Sequence, residues 1–462
     1  MKVFHLKYAI LLTFLYSSSV VFSQIITIKS KIFSYQKITL AYHFGDGIYK
    51  LNEITLNEDG FGVFQSDEYS SGIYYLFLND SLSFPFLIDK DFPGKISISE
   101  GTKEIFNIKD APSPTLLYNK YCESLDSLNK KQGAKLLTDE DGLLLNEYKL
   151  AKDSVIKKYI EYNTSSFFEN LLKAQLSIEI PALEATDNSQ LSDSAIWDYK
   201  ITYYKKHYLD NVEFSDYRLI RSPVYTQKID TYLSQITMQT SHAKIKAIDY
   251  LINKASNDTT TQRFMINYLL KKFSKQDNSA LGEYCYLHII ENYYLKNSQP
   301  WVSNNDLKLL TLEYNRQKPA ALYSEAPEFL LSNEMDDKIN LNDTDAEFII
   351  LYFYNYECPL CDRITPELNK ILSRYNYLDV NLITICLGSN SEVWKTYIKE
   401  KNLSHYTNVI VAEDDNSVAL KYNLSYTPTF FLLDKEKKII NKNYTLPELE
   451  NFLLNTALSK HK

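Results

Sequence analysis

Two cysteines, Cys358 and Cys361, stand two residues apart in the run YNYECPLCDRITP, Tyr354 to Pro366. A thiol pair at this spacing suits two chemistries. One is half of a tetrahedral metal site, which needs two further Cys or His ligands. The other is a thiolate nucleophile with a second thiol near enough to resolve a mixed disulfide. The ligand count argues against metal. No second pair follows, and the nearest downstream histidine is His405. His207, His242 and His288 lie far apart with no carboxylate pattern around them. No metal and no cofactor is therefore expected.

The redox chemistry needs the pair at the start of a helix. Free N–H groups and the helix dipole there favour negative charge on the first sulfur. Such a placement takes a thiol from ~8.5 into the range ~3.5–7.5. Cys358 is then the attacking sulfur. Cys361, one turn along and less exposed, is the resolving one. Two neighbours modulate the pair. The carboxylate of Glu357 disfavours a thiolate beside it, and Pro366 lies inside the predicted helix and bends it. Far down the chain, Thr427-Pro428 stands before the apolar strand TFFLLD and marks a sharp backbone feature.

The elements around the pair alternate between strand and helix. EFIILYFY, Glu347 to Tyr354, reads as a strand buried on both faces. The helix after the pair turns Ile364, Leu368, Ile371 and Leu372 inward. VNLITIC, Val380 to Cys386, is a second buried strand. A helix from about Ser391 to Lys401 turns Val393, Trp394, Tyr397 and Ile398 inward. A short strand NVIVA and a helix near Ser417 to Tyr422 follow. TFFLLD and KKII form a hairpin, and Thr445 with Glu448 has the spacing of a capping box opening the last helix. The order is a β-α-β core followed by a β-β-α unit.

The chain of 462 residues has room for about three domains. Residues 1–23 read as a secretory leader. Lys2 and Lys7 begin it, Tyr8 to Leu15 form its apolar centre, and Val21 and Ser23 suit a cleavage site before Gln24. No later run has ~18 consecutive apolar residues, so no integral membrane segment is expected after cleavage. Residues 24–108 carry short β-branched and aromatic runs broken by Asp46-Gly47, Asp59-Gly60 and Asn79-Asp80. They predict a small antiparallel β-sandwich or barrel. Residues 113–317 have helical periodicity and predict an all-helical middle domain. Trp197, Tyr203, Tyr204 and Tyr208 read there as core or interface aromatics. Residues 322–460 form the last domain, an α/β unit, so the whole chain is multidomain α+β. KDAPSPT (109–115) and RQKPAALYSEAPEF (316–329) read as linkers.

Composition excludes some functions. The net charge is −8 with no basic stripe, which argues against nucleic-acid binding. The hydrophobic share of 45% and the charged share of 23% suit globular domains with real cores. Five cysteines is an odd number, and their spacings are not those of a disulfide-stapled small domain. The abundance of Tyr, 38 copies against 11 Gly, reads as codon bias.

On the strand–CPLC–helix order, Pro366, the YTPTFFLLD segment and the terminal helix, residues 322–460 resemble the thioredoxin superfamily of the exported TlpA/ResA type. The resemblance implies a protein thiol or disulfide substrate and an unidentified redox partner. It also implies a cis Pro428 facing the dithiol, with Thr427 binding an extended substrate through its backbone. The front and middle of the chain, in stretches such as LAYHFGDGIYKLNEITLNEDGFGVF and YYKKHYLDNVEFSDYRLIRSPVY, resemble exported Bacteroidota-type proteins of Gram-negative bacteria. Those share the three-part arrangement, and their upstream domains have no known function. The resemblance places the protein in the periplasm or cell envelope. The chain departs from the pattern at three positions. Glu357 stands where Trp is usual, Ile364 where exported relatives place a buried Glu, and Tyr352 where thioredoxins place a buried acid. Two alternatives stand beside a thiol-disulfide oxidoreductase. One is a non-catalytic envelope binding or assembly protein on the same fold. The other is a thiol peroxidase, which needs a Thr just ahead of its cysteine that YNYEC does not offer.

Overall fold

The computed structural model describes residues 24–460 apart from 67–68, 80–81, 90–94, 100–106, 110–112, 137–142, 164, 183–191, 275–278, 298 and 413–414. The leader predicted at 1–23 lies outside the described residues. Two units divide the chain, one ending at Tyr232 and the other starting at Leu233.

Among the described residues of the first unit eight strands come first: β1 Gln24–Lys29, β2 Lys37–Phe44, β3 Gly47–Thr55, β4 Phe61–Ser66, β5 Gly72–Asn79, β6 Leu82–Ile88, β7 Lys95–Ser99 and β8 Asn107–Lys109. They form two four-stranded sheets, ordered β4-β1-β7-β8 and β3-β2-β5-β6. The second is antiparallel throughout, whereas the first contains a parallel pair, β1 with β7. Alternation along the strands sends Ile26, Ile28 and Phe64 from one sheet into a core shared with Ile38, Leu40, Tyr74, Leu76 and Phe86 of the other. Helices α1 Ser113–Leu136, α2 Leu143–Glu161, α3 Ser166–Lys173, α4 Asp193–His207 and α5 Pro223–Thr231 follow. The end of the first predicted linker already belongs to this packing. Thr115 is in α1, buried, and its hydroxyl donates to the Leu87 carbonyl at 2.7 Å. The aromatic reading of 197–208 needs correction. Tyr208 is buried, but α4 buries none of its residues and Trp197 is 64% exposed.

The second unit begins with α6 Ser241–Lys254, α7 Thr259–Ser274, α8 Ala280–Ile290 and α9 Asn304–Gln317. Its sheet has seven strands in the order β10-β9-β13-β12-β11-β14-β15. These are β9 Leu330–Ser332, β10 Lys338–Asn340, β11 Phe348–Tyr354, β12 Val380–Cys386, β13 Thr407–Ile410, β14 Thr429–Asp434 and β15 Ile439–Lys442. Strands β11, β12 and β13 run parallel, β14 pairs antiparallel with β11, and β15 pairs antiparallel with β14. Helices α10 Pro359–Arg374, α11 Ser391–Glu400, α12 Ser417–Lys421 and α13 Leu446–Lys460 complete it. The central strand β11 is apolar at every position because both its faces are covered. Ile349, Leu351 and Phe353 enter one core with Ala280, Val418 and Tyr422. Ile350, Tyr352 and Tyr354 enter the other with Leu368, Trp394 and Leu453.

The second predicted linker is not a free tether. Ala320, Ala321, Leu322 and Ala326 are buried, the first and the last two of them in the core that β11 shares. The capping box forms as read: the Thr445 amide donates to Glu448 Oε2 at 2.7 Å, and the Glu448 amide donates to Thr445 Oγ1 at 3.4 Å. Among the described residues no helix is long and apolar enough to cross a membrane, and no group of three or more His, Cys, Asp or Glu is placed to hold a metal ion.

Candidate active site

Strand β11 ends at Tyr354, and the chain turns sharply into α10. The Cys358 amide donates to the Asn355 carbonyl at 3.0 Å, and the Glu357 amide donates to Asn355 Oδ1 at 2.9 Å. Asn355 thereby holds the turn that presents the first cysteine. Pro359 occupies the first helical position, where its missing N–H costs no intrahelical bond. Cys358 is the N-cap, with extended backbone at φ −85 and ψ 113. Its sulfur accepts the Cys361 amide at 3.2 Å, the role an Asp or Ser oxygen plays at other helix starts.

The second side of the site comes from 69 residues away. The bond between Thr427 and Pro428 is cis. The Cys358 thiol faces the Thr427 carbonyl, donating to it at 3.4 Å. The structure thus brings Cys358, Cys361 and the Thr427-Pro428 bend together. Cys358 is half-buried, Cys361 is fully buried, and Pro428 is buried.

The environments of the two sulfurs differ. Burial pushes the Cys358 thiol up. Hydrogen bonds from the Cys361 thiol and amide, Thr427 and the Leu360 amide outweigh it, and the thiol sits below its ordinary value. Glu357, expected to oppose a thiolate, is exposed, and the net direction remains downward. Burial, reinforced by the hydrogen bond with Cys358, pushes Cys361 up to about 12. The pair is therefore split into an accessible, acidified sulfur and a sheltered one held protonated.

Beneath Cys361 lies a group that local sequence patterns did not disclose. At the position of a thioredoxin's buried acid, the Tyr352 hydroxyl meets Thr365 Oγ1 at 2.8 Å. Tyr397 reaches the same oxygen from α11 at 3.1 Å. Tyr352 stacks on Phe430, with centroids 4.8 Å apart. Ile364 is half-buried beside this core. A Thr directly before the helical Pro366 was the available signal. Helix α10 continues through Pro366 to Arg374. A second contact also went unread. Tyr356 lies on Gly388, where an added Cβ would come within 2.3 Å of the ring, and its hydroxyl accepts the Asn390 amide at 3.0 Å.

Residues 322–442 match the AhpC/TSA family. The C-terminal domain is thioredoxin-like. The thioredoxin-like domain is similar to the thiol-disulfide oxidoreductase ResA of Bacillus cereus, at 25% identity over 28% of this chain and 75% of that protein. It is also similar to ResA of Geobacillus kaustophilus, at 26% identity over 30% of this chain and 80% of the relative. Among solved structures, a thioredoxin-like protein from Bacteroides caccae aligns over 60% of this chain and 99% of its own, with 19% identity and a TM-score of 0.44. A domain of a possible thiol-disulfide isomerase from Cytophaga hutchinsonii aligns over 30% and 97%, with 25% identity and a TM-score of 0.28. Upstream of the thioredoxin-like domain, residues 197–316 match a domain of unknown function, DUF5106.

The remaining cysteines stand apart from this chemistry. Cys122, Cys285 and Cys386 are free thiols, the last two of them buried. Burial pushes Cys386 up to about 12, and its sulfur accepts the Gly388 amide at 3.4 Å.

Proposed function

We propose that the protein is an exported thiol-disulfide oxidoreductase that exchanges disulfides with protein substrates through Cys358 and Cys361. One observation carries the reading: a half-exposed sulfur caps α10, accepts the amide of its partner cysteine, and lies 3.4 Å from the carbonyl before a cis proline. Relatives named thiol-disulfide oxidoreductases support it.

In the reduced protein the Cys358 thiolate attacks one sulfur of a substrate disulfide. The other substrate sulfur leaves with the electron pair, and a mixed disulfide remains on Cys358. Cys361 then loses its proton and attacks the Cys358 sulfur. The substrate's second thiolate is released, and the protein dithiol has become a disulfide. In this proposal the Thr427 backbone aligns an extended substrate chain beside Cys358. Pro428 keeps that edge open, since it has no N–H. Glu357 and Pro366 tune the pair from the turn and the helix. The leader directs export, and the mature chain begins at Gln24. The domains at 24–108 and 113–317 supply docking surface for the partner protein.

The test is a trapped intermediate. With Cys361→Ser, a peptide bearing an intermolecular disulfide stalls as a covalent adduct on Cys358, seen by intact mass and peptide mapping. The reading is wrong if no adduct forms, or if it forms on another cysteine. N-terminal sequencing of secreted material checks the cleavage point.

A further inference from the structure

The Thr365 hydroxyl joins three elements at one buried point. It donates to the Cys361 carbonyl at 2.8 Å. A hydroxyl has one proton to give, so Tyr352 and Tyr397 both donate to it, at 2.8 Å and 3.1 Å. Tyr352 comes from β11 and Tyr397 from α11. Thr365 and Tyr352 are fully buried, and Tyr397 is nearly so. The oxygen is therefore saturated, with one donated and two accepted bonds, and it has one arrangement available.

Its place in α10 gives this arrangement a purpose. Pro366 has no N–H, so the Asp362 carbonyl loses its usual helical partner. The helix ladder is weakened in the turn just after Cys361. The Thr365 side chain ties back across that turn to Cys361 itself. Lys401 adds an outer brace. It pairs with Asp362 and sits 5.7 Å from the centre of the Tyr397 ring. The three hydroxyls act on the Cys361 backbone, while its thiol faces Cys358 and Thr427.

We infer that Thr365, clamped by Tyr352 and Tyr397, is a positioning residue that holds Cys361 in place to attack the Cys358 sulfur. The inference rests on the dithiol reading above. It concerns only the second step, in which the Cys361–Cys358 bond forms and the bond from Cys358 to the substrate sulfur breaks. The leaving thiolate takes the electron pair, and the Cys361 proton ends on the buffer. The first step, attack by Cys358, does not use the clamp.

The two steps separate in one experiment on the full-length reduced protein. One equivalent of 5,5′-dithiobis(2-nitrobenzoate) reacts with Cys358 and releases a first coloured thiolate in a second-order phase. Attack by Cys361 releases a second in a first-order phase. Background from the other thiols is read from Cys358→Ser. Thr365→Val keeps the shape and removes the hydroxyl. It slows the second phase about tenfold and leaves the first within about twofold. Thr365→Ser restores the second phase, which a loss of packing alone would not allow. Tyr397→Phe withdraws one donor, leaves Thr365 intact, and slows the second phase by a smaller factor, so the test survives a poorly folded Val variant. An unchanged second phase in both variants overturns the proposal, as does equal slowing of both phases. A wild-type protein with no second phase would instead refute the dithiol reading, and the clamp would fall with it.

Discussion

The amide of Cys361 donates to the sulfur of Cys358 at 3.2 Å, so the resolving residue stabilises the attacking one before any substrate arrives. The same contact caps α10. Capping and acidification are thus one interaction, and it favours the thiolate because an N–H held by the helix points at the sulfur. The helix start and the nucleophile cannot be tuned separately.

Alkylation should report that coupling. Iodoacetamide labelling of Cys358 as a function of pH is expected to reach half its plateau at a lower pH than in a peptide of the same local sequence. Burial opposes this direction and the surrounding hydrogen bonds override it. Cys361 should stay unlabelled across the same range. An identical midpoint for protein and peptide would show that the cap does not act on the thiol.

Alkaline pH should weaken the fold. Cys361 and Cys386 are raised from 9.0 to about 12 by burial. Between those values the native state holds protons that the unfolded state has lost, so stability falls as pH rises. The contribution is fully present below the unfolded value and is lost as pH passes through the folded one. Thermal unfolding between about pH 8 and 11 measures it, and the midpoint should decline steadily above about 9. A midpoint that rises over this range would contradict the burial of these thiols.

Gly388→Ala should disturb the active-site turn from the neighbouring loop. Its new Cβ would meet the Tyr356 ring, two residues before Cys358, at 2.3 Å. Overpacking of this kind costs about 1–3 kcal/mol. Tyr356→Ala removes the obstacle, so the double variant should be more stable than the sum of the single changes predicts. Chemical denaturation of the four proteins gives the coupling, and strict additivity would rule the contact out.

Lys442 makes a different kind of prediction. It is buried on β15, with Nζ 2.6 Å from Glu283 Oε1 on α8 and 2.8 Å from the Ala320 carbonyl. Lys442→Met strands the Glu283 carboxylate and should cost about 3–5 kcal/mol. Adding Glu283→Leu should recover most of that loss, because an apolar pair avoids the desolvation of both charges. Urea unfolding measures both. If Lys442→Met is neutral, the ion pair does not tie α8 to the sheet.

Much of the thioredoxin-like domain was legible in the sequence because its signals are local. Ile349 to Tyr354 is an unbroken apolar run because both faces of β11 are covered, and its bounds could be read from that alone. Cys358 before Pro359, and Thr445 with Glu448, mark helix starts with their own side chains. The contacts that were not legible join distant segments. Nothing in the order of residues says that Tyr352 and Tyr397 end on one Thr365 oxygen, 13 and 32 residues away. The stretch 316–329 looked like a tether because small residues and prolines suit loops, yet Ala320 and Ala326 fill space against the sheet. In α4 the aromatic spacing is that of a buried face, while Trp197 remains exposed. Periodicity shows which residues share a face and not whether another element covers it.

In the proposed function Cys358 and Cys361 form one reversible redox couple. Equilibrating the full-length protein in glutathione buffers of graded ratio, quenching with acid and mapping the disulfides by mass tests it most directly. A single two-electron transition is expected, in which the peptide holding both residues loses two hydrogens, and it should be absent in Cys358→Ser and in Cys361→Ser. A peptide that stays fully reduced at every ratio, or a bridge that recruits Cys122, Cys285 or Cys386 instead, would contradict it.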